Sequence, residues 1–103
     1  MDLQEVVEAL ALPEKILYLR FSNGKDGMFC FEDYFPYEGI FKKLKNKSLF
    51  NKVSVNQFGT IEWPGNLDLS PEVLYAIVTQ QKIIVKGKIV FDPTLGKAAW
   101  LKS

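Results

Sequence analysis

The chain has 103 residues, 48% of them hydrophobic and 24% charged, with a net charge of +1, one cysteine and no histidine. This length and composition fit one globular domain over residues 1–103, and no apolar run reaches the ~18 residues that cross a bilayer. The missing histidine excludes Ser-His-Asp and Cys-His nucleophile arrangements and nearly all zinc sites, and Cys30 alone makes no internal disulfide.

The first segment, residues 2–12, fits two descriptions. Leu3, Val6, Val7 and Leu10 fall at the i, i+3, i+4, i+7 spacing of a helix, which Asp2 followed by Glu5 would cap. Val6, Leu10 and Leu12 also alternate as one face of a strand, with Glu8 the exception, and Pro13 ends the segment either way. Residues 15–22 read as a strand, because Ile16, Tyr18, Arg20 and Ser22 alternate with Leu17, Leu19 and Phe21. A turn over residues 22–27, with two glycines available for positive φ, returns the chain through residues 28–31 as a hairpin. Pro36 and Gly39 break residues 33–39, and Ile40, Phe41 and Leu44 mark a short helical turn.

Residues 52–56 form a strand, 57–59 its turn, and 60–63 the returning strand of a second hairpin. The Pro64-Gly65-Asn66 turn follows, and Trp63-Pro64 is a candidate for a cis bond, since X-Pro bonds in tight turns are where cis forms persist. Ser70-Pro71-Glu72 then opens a helix over residues 71–81. The serine oxygen caps, proline needs no N–H at the first position, and the glutamate meets the positive end of the helix dipole. Leu74, Ile77 and Val78 make its buried stripe, with Val73 beside them. Residues 82–91 are β-rich, and Lys86-Gly87 at their centre reads either as a two-residue turn or as part of one unbroken strand. The last residues, 97–103, either fray or dock through Trp100 and Leu101. Together these elements define an α+β domain: a mainly antiparallel sheet from two β-hairpins, one capped helix and a further β-rich C-terminal segment.

Three spaced patterns carry a family resemblance: Leu19-x-Phe21-x-Asn23-Gly24, Gly39-x-Phe41-x-x-Leu44 and Phe50-x-x-Val53-x-Val55. A fourth is continuous, from Thr60-Ile61-Glu62-Trp63-Pro64-Gly65-Asn66-Leu67-Asp68-Leu69-Ser70-Pro71-Glu72 through Val73-Leu74-Tyr75. With them the chain resembles the small bacterial domain-of-unknown-function family 2442 over residues 6–75. The resemblance implies a small α+β fold and a strand for the first segment. It also implies a setting beside a second small protein, in an arrangement like a toxin–antitoxin pair. Family members carry asparagine then glycine after Trp-Pro, whereas this chain has Gly65 then Asn66. Members commonly stop soon after the last motif; residues 76–103 here add the rest of the helix and a β-rich extension, without the helix-turn-helix that some members append.

Several groups of residues are candidate sites. Trp63, Pro64, Gly65, Asp68, Ser70, Pro71, Leu74 and Tyr75 of the last motif are expected to be mainly structural. Trp63 fills the core, the turn aims the helix, and Asp68 bonds nearby backbone N–H groups. Glu32 and Asp33 are adjacent carboxylates, but neighbours on a strand point apart, so no metal or acid–base pair is expected of them. Cys30 sits in an apolar strand and is expected to be packed. Charge is uneven, with residues 1–41 net −5 and residues 42–103 net +6. Lys42, Lys43, Lys45, Lys47 and Lys52 form a basic run with Phe41 and Phe50 interleaved. Such a run suits phosphates and bases, or else is a solvated face over core phenylalanines. In the β-rich tail, Lys82, Ile84, Lys86, Lys88 and Val90 are the candidate partner-binding residues. A sheet edge there pairs with another chain, unless its lysines act as gatekeepers against such pairing.

The expectation is a cytoplasmic, non-enzymatic interaction module with no catalytic residue, no cofactor and no metal. Its partner is another small protein or a second copy of itself. The alternative is a nucleic-acid-binding or regulatory protein using residues 42–52.

Overall fold

The computed structural model describes residues 4–101. The ambiguous first segment is a strand, β1 (Val6–Leu12), paired antiparallel with β2 (Ile16–Phe21), which pairs in turn with β3 (Asp26–Cys30). A helical stripe requires Val7 and Leu10 to be buried with Val6; Val6 is buried and the other two are exposed, so no helical stripe forms. Val6, Leu10 and Leu12 do not share one strand face either, because a bulge between Val6 and Glu8 puts Val6 on the core side with Ala9 and Ala11 and leaves Leu10 and Leu12 on the outer side. Asp2 and Leu3, invoked for the helical start, lie outside the described residues. The register sets Ala9 beside Leu19, Ala11 beside Leu17 and Leu17 beside Phe29, which makes one face of this sheet the wall of the core.

The β1–β2 turn holds Glu14 (φ 66) and Lys15 (φ 62) in the left-handed region without a glycine. That strain is offset by the Lys15 amine, which donates to the Lys45 carbonyl at 2.9 Å and lies 5.6 and 5.7 Å from the Tyr37 and Phe50 ring centres. After β3, 3-10 turns at Phe31–Asp33 and Gly39–Lys45 carry the chain across the core. A one-turn helix, α1 (Lys47–Phe50), follows and was not foreseen from the sequence. Asn46 caps it, its side-chain oxygen accepting from the Leu49 N–H at 3.1 Å.

The second hairpin is shorter than its apolar pattern: β4 (Ser54–Val55) pairs with β5 (Ile61–Trp63). A third strand, β6 (Leu67–Asp68), pairs back on β5 from within the stretch read as turn and helix lead-in. The Val6 N–H donates to the Gly59 carbonyl at 2.8 Å and ties the two sheets together. No peptide bond among the described residues is cis, so Trp63-Pro64 is trans.

Helix α2 (Pro71–Thr79) begins where the Ser-Pro-Glu signal places it. The Ser70 hydroxyl, however, makes no capping bond. Pro71 has already removed one orphan N–H, and Ser70 stands exposed to solvent. Leu74, Ala76 and Ile77 are buried. Val78 and Val73 are only half-buried, and Val78 packs against the neighbouring strand β3. A Cβ on Gly27 of β3 would stand 3.0 Å from the Val78 Cγ1, so glycine sets how closely the helix approaches the sheet.

The C-terminal segment resolves as the two-residue-turn alternative. Strands β7 (Ile83–Val85) and β8 (Lys88–Phe91) pair antiparallel across Lys86 (φ 51) and Gly87 (φ 79). A 3-10 segment, Pro93–Ala98, returns the chain so that Trp100 bridges to Phe91. Trp100 and Leu101 therefore dock. The fold is α+β, with sheets of three, three and two strands. Its centre is aromatic: Phe31 packs against Phe35 at 4.9 Å and against both Phe50 and Trp63 at 5.6 Å.

Candidate interaction site

The apolar residues Trp63, Leu67, Leu69 and Leu74 of the last family motif are buried in the core. Trp63 is 1% exposed, and its Nε1 donates to the Phe50 carbonyl at 2.9 Å. Gly65 (φ 96) and Asn66 (φ 63) both take left-handed backbone. Asparagine tolerates that region better than other side chains, which accounts for the exchanged order of the two residues relative to the family pattern. Tyr75 packs edge-on against Phe21 at 5.0 Å, and its hydroxyl accepts from the Asn23 side-chain amide at 2.9 Å. The first and last motifs of the resemblance thus clasp each other, Asn23 also accepting from the Lys25 N–H at 3.1 Å. Asp68 departs from expectation. Among the described residues its side chain accepts no backbone hydrogen bond, and its strand partner is Glu62, another exposed carboxylate.

The outer face of the first sheet is a surface that the sequence reading did not single out. Register places Leu10, Tyr18 and Met28 in one row and Leu12, Ile16 and Cys30 in the next. Leu10 is 48% and Met28 63% exposed, while the other four are half-buried. The third row is charged: Glu8, Arg20 and Asp26, with Arg20 Nε donating to Glu8 Oε1 at 3.1 Å. The Tyr18 hydroxyl donates to Asp26 Oδ2 at 2.7 Å, and this bond chiefly holds its pKa above the ordinary 10.0. Cys30 is half-buried on this face rather than inside the core.

The second surface is the β7–β8 hairpin. Ile84 faces Ile89 across the strands, 59% and 39% exposed, and Val85 beside them is also exposed. Lys82, Lys86 and Lys88 are exposed, and among the described residues none makes an ion pair; Val90 is half-buried. Leu101 and Trp100 cover part of the β8 edge, the Leu101 N–H donating to the Val90 carbonyl at 3.1 Å. The outer edge of β7 has no strand beside it among the described residues.

The basic run is solvated, with Lys42, Lys43, Lys45, Lys47 and Lys52 all exposed. Its two interleaved phenylalanines turn inward, Phe50 fully and Phe41 partly, so neither is offered to a base for stacking. Lys43, Asn46, Ser48 and Lys52 line a shallow depression. Glu32 and Asp33 share a 3-10 turn, and the described residues bring no three acidic or cysteine side chains together as a metal-binding group.

Tyr37 is the one buried side-chain polar group that the described residues leave without a hydrogen bond. Burial pushes its phenol up from 10.0 to about 12, with the charges of Glu32 and Cys30 adding to the effect. A folded-state pKa above the unfolded one means this contribution to stability is intact below pH 10 and is lost as pH rises toward 12. Tyr37→Phe removes the orphan hydroxyl and is expected to stabilise the domain by roughly 1 kcal/mol. Urea melts at neutral and alkaline pH check this: the variant should be the more stable protein and lose less stability on the alkaline side.

These observations define an α+β domain of three small antiparallel sheets with helices α1 and α2, and with two exposed apolar surfaces. Residues 6–80 match the family model described as Protein of unknown function (DUF2442), so the chain belongs to that family. The match runs through the end of α2 and stops before the β7–β8 hairpin. Comparison with curated proteins and with solved structures finds no match. Among the described residues no helix is long and apolar enough to cross a membrane.

Proposed function

We propose that this chain is a non-enzymatic protein-interaction module that presents its C-terminal hairpin to another protein. The observation that carries the reading is that hairpin. It is a two-stranded sheet of its own, with an exposed Ile84–Ile89 pair, three exposed lysines and one unpaired edge. An extended segment can add to such an edge through main-chain hydrogen bonds while its side chains read the apolar pair. The segment lies outside residues 6–80, which match the family model. The family resemblance supports a small neighbouring protein as partner, in the manner of a toxin–antitoxin pair, and a second copy is the other partner of this kind.

The test is capture from nuclease-treated host lysate with the wild-type chain and with Ile84→Asp in parallel. A near-stoichiometric protein held by the wild type and lost by the variant is the expected result. Equal capture by both removes the hairpin from the reading. One observation favours a second reading, a nucleic-acid contact through phosphates: the depression lined by Lys43, Asn46, Ser48 and Lys52. Lys42→Glu, Lys43→Glu and Lys45→Glu together should then abolish binding, and affinity should fall steeply with salt. Salt-insensitive binding would rule this out.

A further inference from the structure

The chain carries two exposed apolar surfaces of opposite charge character. The outer face of the first sheet shows Leu10, Tyr18 and Met28, bordered by a row of two carboxylates and one guanidinium, Glu8, Asp26 and Arg20. The hairpin shows Ile84 and Ile89, accompanied by Lys82, Lys86 and Lys88, in a stretch with no acidic residue from 73 to 91. We infer that the hairpin of one copy docks on the outer face of β1–β2–β3 of a second copy, so that copies associate head to tail. The inference rests on the interaction-module reading and names the partner as this same chain.

The spacing fits as well as the charge. Along a strand, residues two apart share a face and stand about 6.8 Å from each other. On the sheet, the charged row lies one such step from the Leu10–Tyr18–Met28 row. On the hairpin, Lys86 follows β7 at the turn, two positions from Ile84, and Gly87 stands two positions from Ile89. Seating Ile84 over Met28 and Ile89 over Tyr18, with the turn toward the charged row, brings Lys86 beside Asp26 and sets only Gly87 beside Arg20.

Arrangements that pair like surfaces do worse. Hairpin on hairpin sets three lysines against three lysines. Sheet on sheet about an axis along the strands sets Arg20 against Arg20, and about the perpendicular axis it sets charges on the Leu12–Ile16–Cys30 row. A contact between unlike patches does not use itself up, so it continues into open chains unless a rotation closes it. Glu8 already holds Arg20 and Asp26 already holds the Tyr18 hydroxyl, so the charged part of the contact is shared and the association is reversible.

Sedimentation velocity over a wide concentration range, at low and high salt, is the test. For the wild-type chain the average mass should rise past that of a dimer with concentration, and less steeply at high salt. Met28→Lys spoils the sheet face and leaves the hairpin intact, whereas Ile84→Lys does the reverse. Each variant alone should stay monomeric, and an equimolar mixture should form a dimer and nothing larger, because one intact surface of each kind remains. Both side chains are exposed, so the variants should fold; a circular dichroism melt checks this, and Leu10→Lys and Ile89→Lys replace either one that does not. Wild-type chain monomeric throughout, a variant that still self-associates, or a mixture that stays monomeric overturns the inference. A monomer that captures a nuclease-resistant protein partner overturns only the self-association and leaves the interaction-module reading standing. Concentration-dependent mass with no capture from lysate establishes the second copy as the partner.

Discussion

Trp63→Ala should cost the domain about 3–5 kcal/mol, as full truncation of a buried tryptophan does. Domains of this size hold roughly 5–15 kcal/mol in all, so the variant should be largely unfolded on modest warming. Trp63 is 1% exposed and stands against Phe31 at 5.6 Å and Phe50 at 6.0 Å. Its loss opens a cavity where the second sheet meets the 3-10 segments and α1. It also removes the indole N–H from the Phe50 carbonyl, which ends α1 and keeps only the longer bond from the Val53 N–H at 3.4 Å. Trp63→Phe narrows the comparison, since it keeps one ring in the site while removing the donor and the second ring; about 1–3 kcal/mol is expected for the lost bond and the smaller ring together. Urea melts of the two variants give the comparison. A phenylalanine variant as damaged as the alanine one would assign the residue's role to the hydrogen bond and the second ring rather than to the ring that phenylalanine keeps.

The sequence made some of this legible because single residues with strong local chemistry marked it. Ser70-Pro71-Glu72 set the start of α2, and Lys86-Gly87 supplied the turn of the last hairpin. Other features had no local signal. β6 is two residues long, too short for alternation to register. The partnering of Asn23 with Tyr75 spans 52 positions and depends on the helix lying against the first sheet. The inward turn of Phe41 and Phe50 follows from the aromatic cluster around Phe31, not from their spacing among lysines.

The outer face of the first sheet was hidden for a different reason. β2 is apolar on both sides, with Leu17, Leu19 and Phe21 alternating with Ile16 and Tyr18, and β3 adds Met28 and Cys30 to the side opposite Phe29. Runs apolar on both sides ordinarily belong to strands covered on both faces. Here one face meets the core and the other exposes Leu10 and Met28 to solvent. Pattern alone distinguishes the two sides only at Glu8, Arg20 and Asp26. The residue choice on that face is the choice a strand makes when something covers it.

Phe91→Ala should have an effect as large as Trp63→Ala but confined to the C-terminal part of the chain. Phe91 is 1% exposed, pairs with Ile83 across β7–β8, and packs on Trp100 with ring centres 4.6 Å apart. Trp100 in turn donates from Nε1 to the Tyr34 carbonyl at 2.6 Å, and the Tyr34 hydroxyl donates to the Pro93 carbonyl at 3.2 Å. Apart from half-buried Ile83, the apolar side chains of the hairpin strands face solvent or are only partly covered, so Phe91 is its main anchor. Removing the ring costs about 3–5 kcal/mol if the segment stays in place. The hairpin escapes that cost by detaching, since Ile83 is its other side chain packed against the core, and local opening is the lower path. Hydrogen exchange should then show residues 82–91 losing protection while β1, β2 and β3 keep theirs. Uniform loss along the chain would mean that hairpin and body unfold as one unit. With the body intact, the same variant isolates the hairpin's role: loss of partner capture without loss of fold attributes binding to the ordered hairpin, and retained capture transfers it to the outer face of the first sheet.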